Sequence, residues 1–205
     1  YAAPFGVAPI GLQGLVWPGA CEFLAEAAHA ARVPFILSTV GTASIERVAE
    51  ITEGKAWFQL YHPTEDDLRD KILDRAEAAG VPVLVLLADT PTFGYRPKEI
   101  RNGLAIPPRM SLRNIAQMMM RPTWSFSQLA RGKPEFATLA PYIPKGLDMS
   151  HLGQFMNATF SGRLSADRIA AIRERWKGKL VVKGIVNPQD AAQVLELGAD
   201  GIIVS

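Results

Sequence analysis

Asp89-Thr90-Pro91-Thr92-Phe93-Gly94-Tyr95-Arg96, followed by Arg101-Asn102-Gly103, comes directly after the apolar run Val83-Leu84-Val85-Leu86-Leu87-Ala88. A buried strand therefore ends on a carboxylate, turns at Thr-Pro and soon delivers an arginine. In a parallel α/β protein the carboxyl ends of the strands are where chemistry is placed. The guanidinium offers a planar fork of donors suited to a carboxylate. Other polar residues stand in comparable positions: Ser38, Gln59, Tyr61, Lys183 and Ser205 all close short apolar runs. An ammonium at the end of an apolar strand is costly unless paired, which marks Lys183 for a role. That role is either charge stabilisation or, in a different chemistry, a Schiff base with a carbonyl substrate. The plainer readings are that Gln59 and Tyr61 merely finish a strand and that Asp89 holds Thr90 in a turn.

The elements that must position these groups alternate. Phe5–Ala8, Pro34–Ser38, Trp57–Tyr61, Val83–Ala88, Leu180–Lys183 and Gly201–Val204 read as strands. Between them, 22–31, the stretch opened by Ser44, the stretch from Thr64 to Gly80, 165–177 and 188–197 read as helices. Ser44 is a candidate N-cap, and Thr64 is expected to cap the helix whose first turn carries Glu65, Asp66 and Asp67. Strand, helix, strand at this spacing implies right-handed βαβ units around a parallel sheet. No GxGxxG turn follows the first strand, which weakens a dinucleotide-binding sheet. A barrel gathers every strand end around one mouth, so the polar residues favour an α/β (β/α)₈ TIM barrel, with about six of its eight strands in this chain.

Residues 1–205 read as one barrel domain, and 97–160 breaks the rhythm as a long insert, well beyond ordinary loop lengths. It contains Met110, Met118-Met119-Met120, Trp124, Phe126 and several arginines, with Ser111–Met120 a short amphipathic helix candidate. Two readings stand: an interfacial surface for a membrane or acceptor protein, or a lid or packing insert with its apolar face buried. The remaining composition is that of a soluble globular chain, with 48% hydrophobic and 20% charged residues. A net charge of +2 argues against nucleic acid. One cysteine, Cys21, excludes an internal disulfide framework, and His29, His62 and His151 have no metal-ligand spacing. No apolar run approaches the length of a membrane span.

Several segments together resemble the FMN-dependent 2-hydroxy acid dehydrogenases and oxidases, a family that includes glycolate oxidase, L-lactate dehydrogenase and mandelate dehydrogenase. The matching pieces are Ala8-Pro9-Ile10-Gly11 with Gly14-Leu15, then Pro34-Phe35-Ile36-Leu37-Ser38-Thr39, then Trp57-Phe58-Gln59-Leu60-Tyr61. They continue with Asp89-Thr90-Pro91, Gly94-Tyr95-Arg96, Arg101-Asn102-Gly103, Lys183-Gly184-Ile185 and Gly198–Ser205. Arg121-Pro122-Thr123-Trp124 in the insert is most similar to the mandelate and bacterial lactate enzymes, several of which associate with membranes through this region.

The resemblance implies bound FMN and oxidation of an L-2-hydroxy acid to a 2-oxo acid. Pro9, Ile10 and Gly11 would lie against the flavin ring, Ser38 and Gln59 would hydrogen-bond its edge, and Ser205 would belong to the cofactor set. Lys183 would support the charge of reduced flavin. Tyr61 and Arg96 would bind substrate, and Asp89 would orient an active-site histidine. The family supplies that histidine after the position of Ser205, so this chain is expected to be a truncated, inactive portion. Relatives imply a homo-oligomer, a quinone or oxygen as electron acceptor, and a cytoplasmic protein or one peripheral at the inner face of the plasma membrane. Three positions depart: Leu87 stands where the family often has a threonine, Val40 where glycolate oxidase has a pocket tryptophan, and Ala166 where a tryptophan is common. Two alternatives remain at this stage, a catalytically inactive flavin-binding or assembly fragment, and a Schiff-base lyase using Lys183.

Overall fold

The computed structural model describes residues 1–90, 97–101, 111–132, 134–144, 146, 149–160 and 164–205. Its first half runs α1 (Gln13–Val16), α2 (Ala20–Ala30), β1 (Ile36–Ser38), α3 (Ile45–Thr52), β2 (Trp57–Leu60), α4 (Asp66–Ala78) and β3 (Val83–Leu87). The insert carries α5 (Pro97–Arg101), α6 (Leu112–Met119), α7 (Pro122–Arg131), a 3₁₀ turn at Ala140–Tyr142 and α8 (Met149–Thr159). The chain closes with α9 (Ala166–Arg175), β4 (Lys179–Lys183), α10 (Pro188–Glu196) and β5 (Gly201–Ile203).

All five strands are parallel and pair in chain order, β1-β2-β3-β4-β5. A doubly wound sheet reverses direction at a switch point, whereas this one never does. Each crossover steps the same way, which is the winding of a (β/α)₈ barrel wall. The expected first strand, Phe5–Ala8, is not a strand here: it contributes a single parallel bridge, Val7 to Phe35, with Val7 N donating to Pro34 O.

Side chains alternate between the faces of a strand. One face presents Leu37, Phe58, Leu60, Leu84, Leu86, Leu180 and Val182 to the helices, in the main core with Ile72, Ile172 and Trp176. Each such side chain contributes roughly 1.5–3 kcal/mol by leaving water. The opposite face carries Ile36, Val83 and Val85, with Trp57, Val181 and Ile203 packed on them. Ser38, Gln59 and Lys183 continue this second face by the same alternation, toward the carboxyl ends of their strands. Burial on both faces accounts for the unbroken apolar run in β3.

Local signals set the helix starts. Ser44, Ser111, Ser165 and Asn187 cap α3, α6, α9 and α10, each side chain accepting from a backbone N–H of the first turn. The expected Thr64 cap is displaced: Glu65 is the N-cap of α4, and the Thr64 hydroxyl donates to Ala158 and Thr159 carbonyls. A tertiary tie to α8 has taken the hydroxyl that local sequence assigned to the cap.

Arg75 joins three parts of the molecule. Its guanidinium donates to both carboxylate oxygens of Glu46 on α3 (2.7 and 2.9 Å) and to Thr138 O in the insert. That fork holds the Glu46 carboxyl down from an ordinary 4.5 to about 2. A depressed carboxylate contributes stability that is fully present above pH 4.5 and lost as pH falls toward 2. Glu46→Gln should therefore cost about 1 kcal/mol at neutral pH, the pair being partly screened by solvent. The difference from the parent protein should shrink across that acid window, as read by urea midpoints at several pH values.

Candidate active site

At the rim formed by the carboxyl ends of β1 to β5, the Lys183 ammonium donates to Asp89 Oδ2 at 3.1 Å and to Ser205 Oγ at 2.8 Å. Three residues singled out in the sequence, 94 and 22 positions from one another along the chain, thus meet at one atom. The Lys183 and Asp89 side chains are only 20% and 28% exposed, so the charge pair is largely shielded. The backbone makes the approach possible. Gly184 sits at φ +99, and a Cβ there would lie 2.6 Å from Asp89 Cβ and 2.7 Å from its backbone nitrogen. Ala88 N also donates to Lys183 O, zipping the ends of β3 and β4 together.

Ser38 and Gln59 are paired in register across β1 and β2 and are 1% and 3% exposed. Among the described residues, no side-chain hydrogen bond takes up the Gln59 carboxamide, and Ser38 Oγ accepts only a long bond from Val40 N (3.4 Å). Polar groups of buried residues left so weakly engaged are available to another partner. Thr39, between them, is fully buried. Its hydroxyl donates to Gln59 O (2.7 Å) and accepts from Tyr61 N (3.0 Å), fixing the exits of β1 and β2 together. The Tyr61 ring stands edge-on to Phe160 at the end of α8, with centroids 6.4 Å apart.

The Pro9–Gly11 turn lies over the exit of β1. Leu12 N donates to Val40 O at 2.9 Å, and a Cβ on Gly11 would meet Val40 Cγ2 at 2.8 Å. Val40 is thus the floor of this turn. Leu87 lies in register with Lys183 and offers no hydrogen bond from its side chain.

Arg96, the expected substrate-carboxylate ligand, lies outside the described residues, as do Asn102 and Gly103. His62 follows Tyr61 but packs on the Arg168 guanidinium, and burial together with that positive neighbour holds its imidazole below the ordinary value. His29 stands 3.9 Å from Glu53. Burial pushes the Cys21 thiol up to about 12, so it stays protonated and unreactive. Thr39 is the residue whose importance the sequence alone understated, because its bonds cross between strands.

The insert divides between the two readings offered above. Phe136, Leu139, Met156 and Phe160 are buried in the main core, whereas α6 and α7 expose Leu112, Met119, Phe126 and Leu129.

Comparison with known proteins follows the same outline. The sequence signature of the family described as "FMN-dependent dehydrogenase" matches residues 1–205. The chain is 38% identical over 207 residues to an L-lactate dehydrogenase of Xanthomonas axonopodis pv. citri, covering all of this chain (100%) and 53% of that protein. It is 36% identical over 205 residues to an L-lactate dehydrogenase of Pseudomonas syringae pv. syringae, covering 100% of this chain and 54% of the relative. A crystal structure of the monotopic membrane protein (S)-mandelate dehydrogenase superposes with a TM-score of 0.87 at 31% identity, over 97% of this chain and 52% of the other. A mandelate oxidase structure gives 0.74 at 27% identity, over 100% and 49%. The chain therefore spans about half the length of the curated relatives it matches.

Substitutions at two positions test the rim. Thr39→Val should lose about 1–3 kcal/mol by orphaning Tyr61 N and removing one of the two bonds to Gln59 O, which keeps the Thr39 backbone N–H, and Thr39→Ser should lose less. Gly184→Ala should cost roughly 2–4 kcal/mol through strained φ and the clash with Asp89. Urea-unfolding midpoints check both, and a neutral Gly184→Ala would contradict the close approach.

Proposed function

We propose, for a chain that belongs to the FMN-dependent dehydrogenase family, that the strand-end rim binds FMN and serves the oxidation of an L-2-hydroxy acid to its 2-oxo acid. The observation that carries this reading is the Lys183 ammonium, fixed between Asp89 and Ser205 on the same sheet face as the buried Ser38 and Gln59. The donor set fits a planar heterocycle with a polar edge. A carboxamide without a partner among the described residues and a weakly engaged hydroxyl offer hydrogen bonds, and a fixed cation offsets negative charge. Pro9, Ile10 and Gly11 present backbone and little bulk on the same side. FMN, when bound, supplies the acceptor for the two electrons.

The chain's own residues account for the rest of the chemistry. The substrate gives up its hydroxyl proton and the C2 hydrogen, so a carboxylate grip and a proton acceptor are both required. Arg96 and Tyr61 are assigned the carboxylate, a planar guanidinium being suited to bidentate pairing. Asp89 holds Lys183 in place and offers a second oxygen to the positive charge that develops on the base. None of His29, His62 or His151 is assigned as that base. The names of the curated relatives and of the structural neighbours support lactate or mandelate as the substrate class.

The outer face of α6 and α7 supports a peripheral membrane contact. Leu112, Met119, Met120, Phe126 and Leu129 are 69–87% exposed, and Arg113 and Arg121 lie among them. Apolar residues flanked by arginines suit the boundary between acyl chains and anionic headgroups. No helix among the described residues is long and apolar enough to cross a membrane. A membrane position favours a quinone over oxygen as the acceptor.

The full-length protein should carry oxidised-flavin absorbance that bleaches anaerobically on addition of L-lactate or L-mandelate. Lys183→Met should slow that bleaching by about 10²–10³-fold, the scale of losing one fixed charge-stabilising group. A protein purified without flavin, and unable to take it up, would sink the reading. For the surface, Phe126→Asp with Leu129→Asp should move the protein off anionic vesicles in a flotation assay while leaving turnover with a soluble dye intact. Undiminished flotation would remove α7 from the contact.

A further inference from the structure

α1 is a single turn, too short to be stable alone, and the last carbonyls of any helix lack partners within it. Every one of its carbonyls is nevertheless taken. Gln13 O accepts from Trp17 N at 3.1 Å. The other three are claimed from the insert, more than 100 residues away. Gln128 Nε2 donates to Gly14 O at 2.7 Å, and Trp124 Nε1 reaches both Leu15 O (3.3 Å) and Val16 O (3.1 Å). Trp124 and Gln128 are four residues apart and so share a face of α7. Arg131, one turn on, continues that face over the Phe23 ring of α2 at 5.3 Å. At its other end α1 leads straight back into Pro9–Gly11 through Leu12, which has a left-handed φ of 50 and is bonded to Val40. The turn beside the proposed flavin site thus hangs on a one-turn helix clasped by two side chains.

We propose that Trp124 and Gln128 are positioning residues: by capping the carbonyl end of α1 they hold the Pro9–Gly11 turn against Val40 at the mouth of the site. The clasp stands on geometry alone, and its consequence for flavin rests on the function proposed above. The two separate cleanly in one set of variants of the full-length protein. Gln128→Leu and Trp124→Phe keep shape and remove a donor, and Gln128→Lys restores an N–H on a side chain of similar reach.

Hydrogen exchange read by mass spectrometry tests the clasp with or without flavin. Residues 9–17 should exchange about tenfold faster in the double variant, with β2 and β3 unchanged. Unaltered protection of 9–17 would overturn the proposal. Where the double variant does not fold, Gln128→Leu alone gives the same reading. In the flavoprotein, kcat should fall about tenfold with KM within about twofold, as expected when reacting groups are slightly misplaced. The visible circular dichroism of the flavin should change, and Gln128→Lys should recover both. Loss of protection with wild-type kcat and flavin dichroism would overturn the positioning role. A parent protein that takes up no flavin would instead refute the function proposed above, the exchange result still deciding the clasp.

Discussion

The structure depends on one topological constraint: each parallel strand enters the sheet beside its predecessor and on the same side. Parallel neighbours need a crossover, and crossovers of one hand stepping in one direction bring every carboxyl end to a common rim. Alternation along each strand then fixes which residues face which core. Leu37, Phe58, Leu84 and Val182 go to the helices, and Ser38, Gln59 and Lys183 go to the other face. The site exists because these two regularities coincide.

Placing a cation there is expensive unless it is met by charge and hydrogen bonds. Asp89 and Ser205 meet it from the exits of β3 and β5, the strands on either side of β4. The close approach of Asp89 needs a glycine at 184, where the backbone turns left-handed and a side chain would collide. The glycine, the pair and the strand register form a single unit, in which altering one part disturbs the others. Thr39 does for β1 and β2 what Ala88 and Lys183 do for β3 and β4, with its side chain added to a backbone bond.

The insert carries two kinds of surface. Its later part, from Phe136 to Phe160, sends apolar side chains into the core and meets Tyr61 and Thr64 at the exit of β2. Its earlier part, α6 and α7, turns donors inward to α1 and apolar side chains outward. That inversion explains why a hydrophobic pattern alone does not locate the docked face of α7. The side chains that dock are Trp124, Gln128 and Arg131, whose polar ends reach carbonyls and a ring, while Phe126 and Leu129 remain in solvent.

The amino-acid sequence determined what is local or periodic. The apolar runs around Phe58, Leu84 and Val182, the Ser44 cap, the helix starts at Ser111 and Ser165, and the polar residues closing each strand are legible because they depend on near neighbours and on a fixed repeat. The ordered motifs made the family legible as well. Only the tertiary structure decided that Lys183 pairs with Asp89 and Ser205, that Thr64 turns from its helix to α8, that Phe5–Ala8 narrows to one bridge, and that α7 clasps α1. The physical reason is the same in each case. A donor or a strand edge is satisfied by whichever acceptor the fold brings within about 3 Å, and sequence separation carries no information about that distance.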